Sequence, residues 1–180
     1  MTNAPHTVAW IVSVVLVEAA VIDGLKLRVP NWLTFHLVLG GLTFGAWSHG
    51  VPGFLWALAG MAVGLATLLP LYAIGGMGAG DVKLMAGVGA WMGPAVAVWA
   101  FATSAIVGGL MALAMVAWSG EYVRHWVQFQ VIGHEILTVR NPEKLAATAA
   151  ARKPTMMLLP YGIPLAVGSI GYFAYAGLLN

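Results

Sequence analysis

Asp23 and Asp81 are the only aspartates in a chain of 180 residues of which 8% are charged. Carboxylates are costly to hold at membrane depth, and in so apolar a sequence they mark functional sites by default. Two of them held close together cannot both ionise cheaply, so they share a proton and titrate as a unit. Such a pair holds a base and an acid at once. The base takes a proton from water, and the water attacks a peptide carbonyl. The acid then protonates the developing oxyanion and later the leaving amine. This chemistry requires neither a metal nor a nucleophilic side chain. The chain has no cysteine, which removes disulfides, thiolate metal sites and thiol nucleophiles together. Its five histidines, His6, His36, His49, His125 and His134, are scattered, with no pair at the i, i+4 spacing of a metal site. No metal or cofactor is expected.

Around Asp81 the sequence runs Gly75-Gly76-Met77-Gly78-Ala79-Gly80-Asp81-Val82-Lys83, between two long apolar runs. Four glycines within six positions leave the backbone loose or closely packed. A substrate backbone that must approach a carboxylate is served by glycines beside it. The plainer reading is an ordinary turn in which Asp81 caps a helix starting at Val82. Lys83 either helps place a substrate or tune the carboxylates, or it is an interfacial anchor whose stem snorkels along apolar surface. Glu18 lies five residues before Asp23, off its helical face. It can tune the pair, line a polar cavity or bond a neighbouring helix. Within the apolar runs, Ser104, Ser169, Gly40-Gly41 and Gly108-Gly109 read as helix-packing residues. His36 is expected to bond a neighbouring helix.

The elements that must position these residues are membrane helices. Hydrophobic residues make up 61% of the chain and its mean hydropathy is +0.88, whereas a soluble domain carries roughly 25% charged residues. The composition predicts one all-α, polytopic membrane domain over residues 1–180. The first run, His6 to Ile22, lacks the basic flank and cleavage site of a signal peptide and is expected to stay as a span. Further runs are Trp32 to Ser48, Phe54 to Ile74, a short one from Val82 to Trp91, Pro94 to Trp118, and Met156 to Leu179. A turn at His49–Gly53 separates the second and third. The mixed, aromatic-bearing stretch 119–155 is expected to contain a helix lying at the membrane interface.

The positive-inside rule then orients the chain. With the N-terminus outside and the short helix crossing, the loops at 23–31, 75–83 and 119–155 lie inside and hold two, one and five basic residues, all eight of them. This favours six crossings and sets Asp23 and Asp81 at the same depth on the cytoplasmic side. The short helix is the difficulty, since about ten residues reach ~15 Å against a ~30 Å hydrocarbon core. It must be lengthened by its flanks, tilted through a thinned region, or shielded by neighbours. A net charge of +2 is too small to argue for nucleic acid, and nothing in the sequence speaks to oligomeric state.

Gly78-Ala79-Gly80-Asp81 is the GxGD motif of membrane-embedded aspartic proteases. Its continuation, through Leu84-Met85-Ala86 and Gly89-Ala90-Trp91-Met92-Gly93, resembles the type IV prepilin peptidases. Asp23 followed by Pro30-Asn31 and Leu33-Thr34 resembles that family's first catalytic aspartate and the stretch downstream of it. Pro160-Tyr161-Gly162-Ile163-Pro164 resembles its last-span signature. The resemblance implies catalytic roles for Asp23 and Asp81, and motif roles for Gly78 and Gly80. It implies a prepilin or pseudopilin substrate with a short basic leader, cut at the cytoplasmic face of the bacterial inner membrane just before the substrate's hydrophobic helix. Larger members carry an N-terminal domain with paired cysteines linked to N-methylation. This sequence has neither, so it is similar to the short, peptidase-only form of tight-adherence (Flp-type) pili, and no methyltransferase activity is expected. The competing readings are a related peptidase acting on archaellin-type or competence pseudopilin leaders, and a small transporter or channel using the two aspartates. The aspartates fall at span ends, and no internal repeat is evident, which counts against the transporter.

Overall fold

A computed structural model describes residues 6–73, 76–120 and 159–180, together with Trp126, Val127, Gln130, Val131, Gly133 and His134. The interfacial helix expected within 119–155 lies outside the described residues. Among the described residues the fold is built on α1 (His6–Lys26), α2 (Asn31–Ala73), α3 (Ala79–Met92), α4 (Pro94–Ser119) and α5 (Gly162–Tyr175). Among the described residues there is no strand. Three of the helices, α1, α2 and α4, are long and apolar enough to cross a membrane, and α5 is a shorter apolar helix.

The 43 residues of α2 are interrupted at Gly50, whose φ of 62° and ψ of −144° lie outside the helical region. The five-residue turn expected at His49–Gly53 is therefore much tighter. Only glycine adopts this conformation cheaply, and Pro52 stands where its missing N–H is an orphan of the second arm in any case. The arms fold back on each other through glycine. A Cβ at Gly45 would lie 2.7 Å from the Gly53 carbonyl oxygen and 3.1 Å from Ala57 Cβ.

Between the arms lies α3. From the first arm, Gly41 meets Ala90, where an added Cβ would fall 2.8 Å from the alanine's own. From the second arm, Gly60 abuts the Gly89 carbonyl and Gly64 the Met85 carbonyl, with no room for a Cβ. Small residues at such crossings let backbones approach and gain packing where no hydrophobic effect drives helices together. The Trp91 indole closes the first crossing by donating to the Leu37 carbonyl at 2.7 Å. Ten of the fourteen α3 residues are buried. A 14-residue helix reaches only ~21 Å, and α3 is enclosed by its neighbours along most of that length. The helix also begins at Ala79, three residues before the Val82 start expected.

On the other side, α5 joins α4 and α1. The Ser104 hydroxyl donates to the Leu165 carbonyl at 3.3 Å, and Thr103 donates to the Gly168 carbonyl at 2.8 Å. The α1–α5 pair runs antiparallel. His6 Nδ1 lies 3.3 Å from the Leu178 carbonyl and Trp10 Nε1 donates to that of Leu179 at 3.2 Å, while the far end of α1 meets the start of α5. His36 does not bond a neighbouring helix: its Nδ1 lies 2.6 Å from the Trp32 carbonyl one turn back in the same helix, on an exposed face. The last helix starts at Gly162, so Leu159 and Pro160 stand outside it.

Candidate active site

Three helix ends converge at one end of the bundle: the C-terminus of α1 and the N-termini of α3 and α5. Asp23, three residues before the end of α1, is 3% exposed, and Asp81, in the first turn of α3, is 5% exposed. Both line a cavity of about 250 Å³, bounded on one side by the chain from Gly76 to Gly80 and on others by Leu27–Val29 and Tyr161.

Each carboxylate is held by a backbone N–H at a helix start. Gly162, the first residue of α5, donates to Asp23 Oδ2 at 2.7 Å in a buried bond. Gly78, the N-cap of α3, donates to Asp81 Oδ2 at 3.1 Å, the reciprocal half of a capping box. The N-terminal ends of two helices thus face the carboxylates. The plainer reading of Asp81 as a cap and the functional one therefore hold together, since the cap sits on a cavity wall.

The glycines follow from this geometry. A Cβ on Gly162 would lie 2.8 Å from Asp23 Cβ and 3.1 Å from its Oδ2. A Cβ on Gly78 would lie 3.2 Å from Asp81 Oδ2, and one on Gly80 would lie 2.6 Å from the Val29 carbonyl oxygen. The room beside Gly80 is thus filled by the protein's own 27–30 connection. That contact docks the loop after Asp23 onto the start of the Asp81 helix, while Gly80 also lines the cavity.

The connection is itself constrained. Leu27 takes φ 52° and its N–H donates to the Asp23 carbonyl at 2.7 Å, closing α1 in a left-handed cap that usually falls to glycine. A leucine there costs on the order of 1 kcal/mol, and Leu27 lines the cavity. Lys83 is exposed and donates to Asn31 Oδ1 at 3.0 Å, tying α3 to the start of α2 outside the cavity lining. Glu18 lies on an exposed face of α1 and does not reach the cavity, which removes it from the pair's surroundings.

Two contributors carried no assigned role in the sequence: Tyr161 and Gly162. Their signal was the Pro160–Pro164 signature, which shows that the residues matter without showing that Gly162 meets Asp23. Tyr161 precedes α5 and is half-buried. Its burial, and next the charge of Asp81, hold the phenol above the usual tyrosine range, so it stays protonated at neutral pH. Among the described residues no group of three or more metal-binding side chains occurs. The arrangement offers two buried carboxylates, each accepting from a backbone N–H, in a cavity that Tyr161 also lines and that is smaller than the ~300–1,000 Å³ of small-molecule sites.

The type IV leader peptidase family matches residues 10–113, a span that holds both aspartates. The prepilin leader peptidase/N-methyltransferase of Aeromonas hydrophila is 33% identical over 129 residues, covering 64% of this chain and 43% of that protein. That of Aeromonas salmonicida (strain A449) is 33% identical over 115 residues, covering 60% and 39%. The chain thus spans about two fifths of the length of the curated relatives it matches. No solved structure matches.

Proposed function

Because this chain belongs to the type IV leader peptidase family, which matches more than half its length, we propose that it is a membrane-embedded aspartic endopeptidase that removes the leader peptides of prepilins or pseudopilins. The observation that carries the proposal is the shared cavity: the only two aspartates of the chain are both buried and line the same space. Asp23 and Asp81 share one proton and activate a water between them. The ionised partner takes the water's proton as it attacks the scissile carbonyl, while the protonated partner gives its proton to the oxyanion. The partner now carrying the water's proton passes it to the leaving amine, and as the C–N bond breaks the other partner takes back a hydroxyl proton from the collapsing diol. Tyr161, still protonated, donates toward the carbonyl oxygen from the cavity edge. Gly162 and Gly78 hold the carboxylates in place, and Gly80 locks the two loops together.

The protein acts as one unit with six crossings: α1, the two arms of α2, α3, α4 and α5. The distribution of basic residues supports a multi-pass protein of the bacterial inner membrane with its N-terminus outside and the aspartates at the cytoplasmic face. Its substrate class is the Flp-type prepilins. The test is co-expression with such a prepilin, reading the leader-cleavage shift on a gel for wild type, Asp23→Asn and Asp81→Asn. Cleavage by wild type alone is expected. Normal cleavage by either variant refutes the dyad.

A further inference from the structure

A second cavity, of about 220 Å³, adjoins the first. Met77 and Tyr161 line both, so the two spaces are separated only by a shared wall. The second lies between the end of α2 (Leu68, Leu71), α4 and the start of α5 (Pro164, Leu165). It contains no charged residue. Its only side-chain polar groups are the Tyr161 phenol and the Ser104 hydroxyl, and the latter is spent on the Leu165 carbonyl. The first cavity, in contrast, is lined by Asp23, Asp81 and Arg28.

The apolar cavity is level with the carboxylates. In the α2–α3 crossing Gly60 meets Gly89 and Gly64 meets Met85, so the same antiparallel register sets Leu68 beside Asp81. On α4, a Cβ at Gly108 would lie 3.5 Å from Pro164 Cβ, two residues beyond the glycine that holds Asp23. The opening faces sideways. Ala105, Gly109 and Ala112, at spacings of four and three, present one exposed face of α4. A Cβ at Gly109 would have nothing within 4 Å. Small residues on an exposed helix face are what a second helix needs for close approach in a bilayer.

We propose that this lateral groove is the docking site for the membrane-inserted apolar segment of the substrate, entered from the bilayer between α2 and α4. The inference rests on the peptidase reading. A peptide with a charged part and an apolar part matches the two spaces: the polar part meets the carboxylates and Arg28, the apolar part fills the groove, and the bond between them crosses the Met77–Tyr161 wall. The groove thereby sets which bond is cut.

The test begins with a prepilin that the wild-type protein cleaves, so failure of the peptidase reading shows at that first step, before any crosslink is read. The Asp81→Asn protein is then used to hold the uncut prepilin. A photoreactive benzoylphenylalanine is placed at Gly109 or Ala112, and, as controls, at the exposed Leu110 and Val17. Adducts from 109 and 112 to the apolar segment after the cleavage site are expected, at least about tenfold above the controls. Adducts no stronger than the controls, or confined to lipid or to residues 121–158 of this chain, overturn the proposal. In the otherwise wild-type protein, Gly109→Leu fills the groove. It is expected to raise KM for the prepilin roughly tenfold with kcat within about twofold, and Gly109→Ala to leave both near wild type. An unchanged KM in Gly109→Leu, with the protein folded by thermal melt, also overturns it.

Discussion

Gly162→Ala adds a single methyl group, and the geometry states what it meets. The new Cβ would sit 2.8 Å from Asp23 Cβ and 3.1 Å from Oδ2, where ordinary contact needs about 3.5 Å or more. The crowded neighbour is a buried side chain packed against a helix start, so relief requires α1 and α5 to separate by several tenths of an ångström. That lengthens the 2.7 Å bond from Gly162 N to Asp23 Oδ2. Overpacking of this kind costs about 1–3 kcal/mol, and a weakened hydrogen bond to a charged group costs up to a further ~1.5–3 kcal/mol. Catalysis is the more sensitive readout, because an ångström of misplacement costs on the order of a hundredfold. We expect a fall of roughly 10- to 100-fold in prepilin cleavage by timed gel assay, with a clear loss of thermal stability in detergent. Gly24→Ala is the internal control. It lies beside Asp23 in sequence, but its Cβ would meet only Ile163 Cδ1 at 3.5 Å, so both readouts should stay near wild type. Wild-type cleavage by Gly162→Ala would mean that the working enzyme does not hold Asp23 against α5, and the argument from this contact would fail.

Gly60→Val forces a branched side chain onto the Gly89 carbonyl in the α2–α3 crossing. Thermal melting in detergent should show a loss of about 3 kcal/mol or more, since backbone cannot yield as a side chain tip can. Tyr161→Phe removes the phenolic donor and keeps the ring, so kcat should fall roughly tenfold or more with an unchanged melting temperature; equal kcat would exclude the phenol from the reaction. Lys83→Met breaks the exposed bond to Asn31 and should change stability by no more than about 1 kcal/mol and cleavage by no more than a few-fold; loss of activity comparable to Asp81→Asn would return Lys83 to the reacting groups.

What the sequence disclosed and what it withheld divide along chain separation. The apolar runs, the helical class and the common end for Asp23 and Asp81 follow from composition and the placement of eight basic residues. The motif glycines stood out, but the contact behind each did not. Gly80 serves Val29, about fifty residues away, and Gly162 serves Asp23 across 139 positions. Nothing local encodes such pairings. A single residue, Gly50, makes the reversal that the pattern spread over His49–Gly53, because any left-handed glycine is compatible with that loop and the arms' packing selects one. The enclosure of the short α3 was likewise hidden, because it depends on glycines on both arms of α2 closing around it. Glu18, an acid in an apolar run, attracted attention by rarity, yet helical rotation turns it outward.

The bond from Gly162 to Asp23 joins residues translated early and late. While a ribosome is still making the chain, α1 to α4 can insert and α3 can seat between the arms of α2, but Asp23 has no α5 backbone to anchor it. Asp23 is therefore held in place only once the last helix has been made, whereas Asp81 takes its cap from Gly78 within its own helix start.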